Sequence, residues 1–163
     1  MGTFRKTGAV LLITILVVTA PSATSYETAR CIRVIDGDTI ELSSGRRVRY
    51  IGINTPEITR TDAITKELGK SAKAFNEDLV LDRTVRLVFD VEQEDKYGNL
   101  LAYVYVGNTF VNAELVRSGY ASAYGHPPNI KYAEFFEGLE DEAKEGRRGL
   151  WFMVEKVRYQ PQE

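Results

Sequence analysis

The sequence predicts an α+β domain in which five strands close into a small barrel and about three helices pack outside it. Three observations support this prediction. Short segments alternate apolar and polar residues, longer segments carry apolar residues at helical spacing, and glycine, proline or asparagine stands at the junctions. Hydrophobic residues make up 44% of the 163 residues and charged residues 27%, which is typical of one folded domain with an ordinary core.

Three strands are predicted in the first third of the chain, at 28–35, 39–42 and 46–53. The turn between the first two contains Gly37, which supplies backbone freedom. In the third strand, Val48 and Tyr50 fall on one face and predict a side that faces the core. Arg47 and Arg49 fall on the opposite face, which we expect to point outward.

The rest of the chain predicts two strands, at 84–91 and 100–106, an extended segment at 120–124, and helices at 67–81, 111–118 and 130–146. Gly107-Asn108 is a hairpin signal directly after the fifth strand. Asn129 is expected to cap the last helix. Five strands with helices between and after them indicate an OB-fold-like barrel.

The first 25 residues differ in composition from the rest. Two basic residues precede an apolar run at 8–20, and small residues follow it, which is the layout of a signal peptide. The run is short for a spanning helix, yet an uncleaved membrane anchor through residues 8–20 stays open as the alternative. In both cases the protein is expected to be exported, either secreted or held at the cell envelope. Residues 26–153 then form the domain, and 154–163 form a polar tail.

The charge balance argues against a broad nucleic-acid-binding surface. Of the 21 basic residues, two belong to the leader, so 19 remain against 23 acidic residues, a net charge of −4. Any contact with nucleic acid must therefore be a local patch. Cys31 is the only cysteine, which excludes an internal disulfide and is expected to be a small buried residue.

A candidate site lies in the segment from Arg33 to Glu57. Asp38 and Glu57 stand where strands end, and Arg49 projects between them. If the hairpin bends over a barrel, Asp38, Asn54 and Glu57 converge beside Arg49, giving oxygen ligands for a hard cation and a guanidinium for a phosphate. This pattern predicts cleavage of phosphodiesters. Taken without other evidence, the aspartates are better explained as ordinary turn residues, and the arginines can be a solvated strand face.

Six segments, in this order, resemble the staphylococcal-type thermonucleases. They are Val34-Ile-Asp-Gly-Asp-Thr39, Arg49-Tyr-Ile-Gly-Ile-Asn-Thr-Pro-Glu57, Asp95-Lys-Tyr-Gly98, Leu101-Ala-Tyr-Val-Tyr105, Val111-Asn-Ala-Glu-Leu-Val-Arg-Ser-Gly119 and Gly149-Leu-Trp151. The similarity runs from residue 30 to residue 151, nearly the whole chain after the leader. It implies an OB-fold barrel and calcium-dependent hydrolysis of DNA and/or RNA with little sequence specificity.

The resemblance also implies roles for residues of the first two segments. Asp38 binds calcium through its carboxylate, and Thr55 binds it through its backbone carbonyl. Asn54 stands where the family often has an aspartate, so it coordinates through an amide oxygen and carries one negative charge fewer. Arg49 clamps the scissile phosphate. Glu57 is the general base or the carboxylate that orients the attacking water.

Three residues are implied in substrate binding. Lys96 and Tyr97, in the Asp-Lys-Tyr-Gly turn, help to hold a terminal phosphate. Tyr124 stacks on a base, although the alignment needs a one-residue gap there. The implied substrate is single-stranded DNA or RNA, and the implied protein is a monomer without a protein partner.

Asn99 departs from the family pattern, because it occupies the position of the second catalytic arginine. Arg46, Arg47 or Arg83 could replace that arginine only if the barrel brings one of them near. The departure keeps open a second hypothesis, a catalytically impaired OB-fold domain that binds single strands or an acidic partner. A third hypothesis is an envelope-associated interaction domain tethered by residues 8–20.

Overall fold

The barrel is closed by one parallel strand pair. The computed structural model describes residues 26–58 and 63–152. Its elements are β1 (Tyr26–Asp36), β2 (Thr39–Leu42), β3 (Arg47–Tyr50), β4 (Ile53–Asn54), α1 (Ala63–Val80), β5 (Thr84–Val88), β6 (Leu100–Val106), β7 (Thr109–Phe110), α2 (Val111–Arg117), β8 (Ser122–Ala123) and α3 (Ala133–Glu145). The order β3-β2-β1-β5-β6 is antiparallel throughout, and β3 then pairs in parallel with β6. The predicted α+β class and five-stranded barrel are confirmed.

The alternation of side chains along β3 is as predicted. Val48 and Tyr50 are buried, whereas Arg47 is exposed and Arg49 is half-buried. Cys31 is fully buried in the barrel core. Phe136 of α3 packs into the same core, so the helices cover the barrel rather than forming a separate layer.

The prediction of where the third strand ends is wrong. β3 stops at Tyr50, and a turn at Ile51–Gly52 leads into β4, which pairs with β8 instead of with the barrel. Gly52 has φ +80°, a conformation that other residues rarely adopt. The pattern misled the prediction because Ile51 and Ile53 look like strand residues. The turn takes the chain out of the barrel sheet just before Asn54.

Replacing Gly52 with alanine should lower the free energy of unfolding by about 2–4 kcal/mol, because left-handed backbone strain adds to overpacking of the core. A Cβ at Gly52 would lie 2.6 Å from the buried Phe136 ring. Gly45→Ala is the matched control, since Gly45 also has φ +80° but has nothing within 4 Å of an added Cβ. Urea unfolding should show the larger loss for Gly52→Ala. Equal losses would mean that the Phe136 contact contributes nothing.

Helix α2 begins at Val111 as predicted, but the other two helices begin elsewhere. Helix α1 starts at Ala63 rather than 67, and α3 starts at Ala133 rather than 130. The residue that precedes α3 is Tyr132, without a side-chain cap, so the prediction that Asn129 caps this helix is wrong. Asn129 instead bonds the backbone of Glu92: its Oδ1 accepts from the N–H and its Nδ2 donates to the carbonyl, both at 2.8 Å. The side chain that was predicted to cap the helix is therefore used in a tertiary contact instead.

Smaller differences concern the short strands. The Gly107-Asn108 hairpin is confirmed, and it leads into β7, a strand that was not predicted. Strand β5 ends at Val88 rather than at 91, and the extended segment at 120–124 shortens to β8. The predicted leader at 1–25 and the polar tail at 154–163 lie outside the described residues. Within 26–58 and 63–152, none of the helices is long and apolar enough to cross a membrane.

Candidate active site

A cleft of about 230 Å³ collects all five residues predicted to act in catalysis or metal binding. It is lined by Asp36, Asp38, Thr39, Arg49, Asn54, Thr55, Pro56 and Glu57. The residues come from three places: the turn between β1 and β2, the strand β3, and the segment that begins in β4. The early end of β3 makes this possible, because it frees the chain after Gly52 to approach the first turn.

Asp38 is the centre of the hydrogen bonding in this cleft. It is only 3% exposed, and its Oδ1 pairs with Nη1 of Arg49 and accepts a bond of 3.2 Å from Thr39 Oγ1. Its Oδ2 accepts a bond of 2.8 Å from the Thr55 N–H. A buried carboxylate needs such partners to remain ionised. Asp38 therefore links all three parts of the chain that form the cleft.

Arg49 is held by two oxygens. Besides pairing with Asp38, its Nη2 donates to Oδ1 of Asn54 at 2.9 Å. Burial lowers the pKa of Arg49, and the nearby negative charges of Asp36 and Asp95 oppose this shift. Since an arginine in a protein stays protonated, the result is a fixed cation at the cleft.

Asp36 is a cleft residue to which the sequence analysis assigned no role. Its Oδ1 accepts from the Asp38 N–H at 3.1 Å, which fixes the turn between β1 and β2. Burial raises the pKa of Asp36, while hydrogen bonding to Thr39 and the charge of Arg49 work in the opposite direction. The signal for this residue was the Asp-Gly-Asp repeat at a strand end. That repeat also suits an ordinary turn.

Glu57 differs from the other acidic residues because it is exposed. It lines the same cleft as Arg49 and Asp38. An exposed carboxylate beside a fixed cation can accept a proton from water that enters the cleft. Its surroundings therefore suit the role that the resemblance implies.

The donors in the cleft are of the types that suit a hard cation. Asp38, Asn54 and Thr55 carry a carboxylate, an amide oxygen and a backbone carbonyl, the oxygen types that calcium prefers. In this structure Arg49 pairs with Asp38 and donates to Asn54 Oδ1, so a bound cation would share these oxygens with Arg49 or displace it. Across the described residues, no three Asp, Glu, His or Cys side chains gather closely enough to hold a metal ion by themselves. A cation held here would therefore depend on Asn54 and on the Thr55 carbonyl.

A second cavity, of about 380 Å³, lies beside the cleft and shares Arg49 with it. Its wall includes Tyr97, 77% exposed, and Tyr124, 55% exposed. The ring of His126 lies parallel to that of Tyr124, with centroids 6.2 Å apart and 2° between the planes. His126 received no role from the sequence, because a lone histidine in a Gly/Pro loop carries little signal. Two exposed aromatic rings beside a cation can accommodate a nucleotide.

Lys96 is placed differently from Tyr97. It is exposed, and its Nζ lies 5.0 Å from the centroid of the Tyr97 ring. It is not among the residues that line either cavity. Of the three predicted substrate-binding residues, the structure thus brings two, Tyr97 and Tyr124, to the cavity beside Arg49.

Comparison with known proteins identifies the family. Residues 47–153 match the family model described as Staphylococcal nuclease homologue. This chain belongs to the staphylococcal nuclease family. It is 39% identical over 122 residues to the thermonuclease of Staphylococcus intermedius, covering 73% of each chain.

Two further relatives extend the comparison. The chain is 35% identical over 133 residues to the thermonuclease of Staphylococcus hyicus, covering 80% of this chain and 79% of the relative. It is 40% identical over 124 residues to endonuclease YncB of Bacillus subtilis, covering 73% of this chain and 59% of the relative. These matches confirm the resemblance, and the barrel described above agrees with it.

Asn99, which the resemblance aligns with the family's second arginine, has a local structural role. Its Nδ2 donates to Asp95 Oδ2 at 2.8 Å, and its N–H donates to Asp95 Oδ1 at 2.9 Å. Burial would raise the pKa of Asp95, but these bonds, with others from Tyr97 and Gly98, outweigh it and lower the pKa. Asn99 therefore closes the turn that carries Tyr97.

The arginines considered as replacements do not reach the site. Arg46 pairs with Glu94 on the surface, and Arg47 and Arg83 are exposed. Among the described arginines, Arg49 alone lines the cleft and the second cavity. This leaves one guanidinium at the site where the family pattern has two.

Proposed function

We propose that this chain is an exported, calcium-dependent nuclease that hydrolyses phosphodiester bonds of DNA and/or RNA with little sequence specificity. The observation that carries the proposal is the cleft in which Arg49, Asp38 and Glu57 meet. A protein that only binds nucleic acid has no use for carboxylates facing a phosphate, because they repel it unless a cation lies between. The names of the relatives, thermonuclease and endonuclease, agree with this chemistry.

Each of the five predicted cleft residues has one task in the proposed reaction. Arg49 binds the oxygens of the scissile phosphate and neutralises the charge that grows on them in the transition state. Glu57 orients the attacking water and accepts its proton. Asp38, Asn54 and the Thr55 carbonyl hold calcium, which when bound supplies positive charge at the phosphate. With Asn99 in place of arginine, no side chain is assigned to protonate or stabilise the leaving oxygen.

The second cavity is proposed to bind the nucleoside next to the cleaved bond. Tyr97 and Tyr124 present exposed rings on which a base can stack, and every base has a face suited to stacking. Lys96 adds a positive charge near Tyr97 for a terminal phosphate. Stacking needs an unpaired base, so the preferred substrate is single-stranded. Stacking makes no hydrogen bonds to the edges of the base, so sequence specificity is low.

A cleavage assay tests the proposal directly. The chain from Tyr26 onward should degrade denatured DNA in millimolar calcium, and an excess of chelator should stop the reaction. Restoring calcium should restore the rate, which separates metal removal from inactivation. Cleavage that continues in chelator would contradict the calcium requirement. Binding of single strands without any cleavage would support the impaired binding domain instead.

That second candidate, a binding domain with impaired catalysis, is favoured by Asn99 and by the net acidic charge. Asn99→Arg restores the guanidinium of the family pattern and should raise kcat at least tenfold, since one preorganised donor is worth on the order of 10²–10³-fold. Asn99→Gln is the matched control, because it lengthens the side chain without adding charge. Single-turnover rates on denatured DNA measure the difference. Equal rates for the two variants would show that the missing guanidinium does not limit this chain.

A further inference from the structure

A buried polar pair lies directly behind the cleft. Asn76 of α1 is 0% exposed, and its Oδ1 accepts a hydrogen bond of 3.0 Å from the Tyr50 hydroxyl. Its Nδ2 points to the carbonyl oxygen of Asp36, at 3.4 Å. One amide therefore joins the helix, the end of β3 and the end of β1. Neither of these two contacts was expected from the sequence.

The same two residues reach the cleft through the backbone. Tyr50 directly follows Arg49 in β3, and its N–H donates to the carbonyl of Asp38 at 2.9 Å. The turn from Asp36 to Asp38 is thus held at both ends, by Asn76 at Asp36 and by Tyr50 at Asp38. A shift of this pair is therefore expected to move the turn that carries Asp38 relative to Arg49.

Helix α1 also presses on the middle of this turn. A Cβ added at Gly37 would lie 2.8 Å from the Cβ of Ala72 and 2.7 Å from Oγ1 of Thr55. The turn is therefore confined between the helix and the segment that follows β4. Its position is therefore set by this packing, by the bond from the Asp38 N–H to Asp36 Oδ1, and by the hydrogen bonds at its two ends.

A purely structural core does not require this polar pair. Phenylalanine at 50 and an aliphatic residue at 76 would fill similar space without burying a hydroxyl and an amide, whose burial is costly unless both are bonded. Polar groups in a low-dielectric interior fix geometry strongly when they are satisfied. Here the side-chain pair fixes the Asp36 carbonyl through Asn76 Nδ2, whereas the Asp38 carbonyl accepts from the backbone N–H of Tyr50 and follows the pair only through the position of that residue.

We propose that Tyr50 and Asn76 are positioning residues that set the Asp36–Asp38 turn against Arg49, and so set the cleft geometry. This inference rests on the proposed nuclease function. It gives helix α1 a role in the reaction through Asn76, although Asn76 does not line the cleft. A displacement of about 1 Å in a reacting group can reduce a rate by on the order of a hundredfold.

Two tyrosine variants separate positioning from stability. Tyr50→Phe removes the hydroxyl that bonds Asn76 and keeps the ring. Tyr50 also lines the second cavity, but it is 2% exposed and the hydroxyl that is removed is bonded to Asn76. Tyr103→Phe is the matched control, because Tyr103 is 1% exposed and its hydroxyl donates to Asp90 at 2.9 Å, in contact with neither cavity. Both variants lose one hydrogen bond from a buried ring. Circular dichroism at the assay temperature confirms that each is folded.

The expected result is a change in kcat for one variant only. Tyr50→Phe should lower kcat by about tenfold with KM within about twofold, because substrate binding is intact and the reacting groups are misplaced. Tyr103→Phe should keep both constants. Asn76→Ala should match Tyr50→Phe, and the double variant should lose little more, since the two side chains act as one unit.

A titration with Tb³⁺, a luminescent analogue of calcium, gives a readout that does not depend on cleavage. Tyr50→Phe should bind Tb³⁺ several-fold more weakly than the wild type, and Tyr103→Phe should bind it equally well. Wild-type cleavage with identical kcat and Tb³⁺ affinity in the two tyrosine variants would overturn the positioning role alone. A wild type that cleaves nothing would overturn the proposed function, and the Tb³⁺ comparison would still decide whether the pair positions the cleft.

Discussion

Replacing Arg49 with alanine should reduce kcat for cleavage of denatured DNA by on the order of 10²–10³-fold, the usual effect of removing one preorganised donor from a transition state. The effect should lie at the upper end of that range. Arg49 is the single described arginine at the cleft, and its partner position in the family pattern is Asn99. Without Arg49, no guanidinium remains to neutralise the phosphate. The measurement is kcat and KM in saturating calcium.

Arg49→Lys is the control that keeps the positive charge. Arg49 uses two nitrogens on two partners, Asp38 and Asn54, which a single ammonium cannot reproduce. We expect the lysine variant to recover stability better than activity. In Arg49→Ala, the buried Asp38 loses its counter-ion, so the free energy of unfolding should fall by about 1–3 kcal/mol. Undiminished cleavage by Arg49→Ala would remove this residue from the mechanism.

The barrel could be predicted from sequence because its strands obey local rules. Val48 and Tyr50 alternate with arginines, and the Gly107-Asn108 hairpin has a strong turn signal. The break after Tyr50 could not be predicted in the same way. It depends on Gly52 meeting the ring of Phe136, a residue far along the chain. The local sequence pattern contains the two isoleucines around Gly52, which favour a strand, but it carries no information about the helix that packs on Gly52.

The candidate site, like the barrel, has some features that local motifs predict and others that they do not. Asp38, Arg49 and Glu57 belong to short motifs, so their type and spacing were visible before their positions were known. The pairing of Arg49 with both Asp38 and Asn54 could not be predicted, because it depends on how β3 and β4 separate. Asn76 was missed for a related reason. A single asparagine inside a helix gives no signal until the structure shows which carbonyl and hydroxyl it reaches.

Asn129 shows the opposite error, where a local rule was valid but lost to a tertiary contact. An asparagine just before a helix is a good cap. In the fold, both of its side-chain groups bond the backbone of Glu92, next to the turn that carries Tyr97. Asn129 therefore stabilises the wall of the second cavity rather than the start of the helix. Competition between a local cap and a two-bond tertiary contact cannot be judged from sequence.

Replacing Glu57 with glutamine should lower kcat by on the order of 10²–10⁴-fold, the usual contribution of a positioned general base. The amide keeps the size and one acceptor oxygen but cannot take a proton from water. Because Glu57 is exposed, the free energy of unfolding should change by less than about 0.5 kcal/mol. KM should change little, since the loss falls in the chemical step. Single-turnover cleavage in calcium measures the effect.

Two further variants make the Glu57 result specific. Glu27→Gln removes an exposed carboxylate of β1 that lines neither cavity, so it reports the effect of net charge alone and should leave kcat unchanged. Glu57→Asp keeps a base but withdraws it by one methylene, and it should retain more activity than Glu57→Gln. If Glu57→Gln cleaves as fast as the wild type, water must be activated without this carboxylate. If all three variants slow cleavage equally, Glu57 acts through overall charge and not as a base. Only the order Glu27→Gln, Glu57→Asp, Glu57→Gln, from fastest to slowest, fits proton transfer to Glu57.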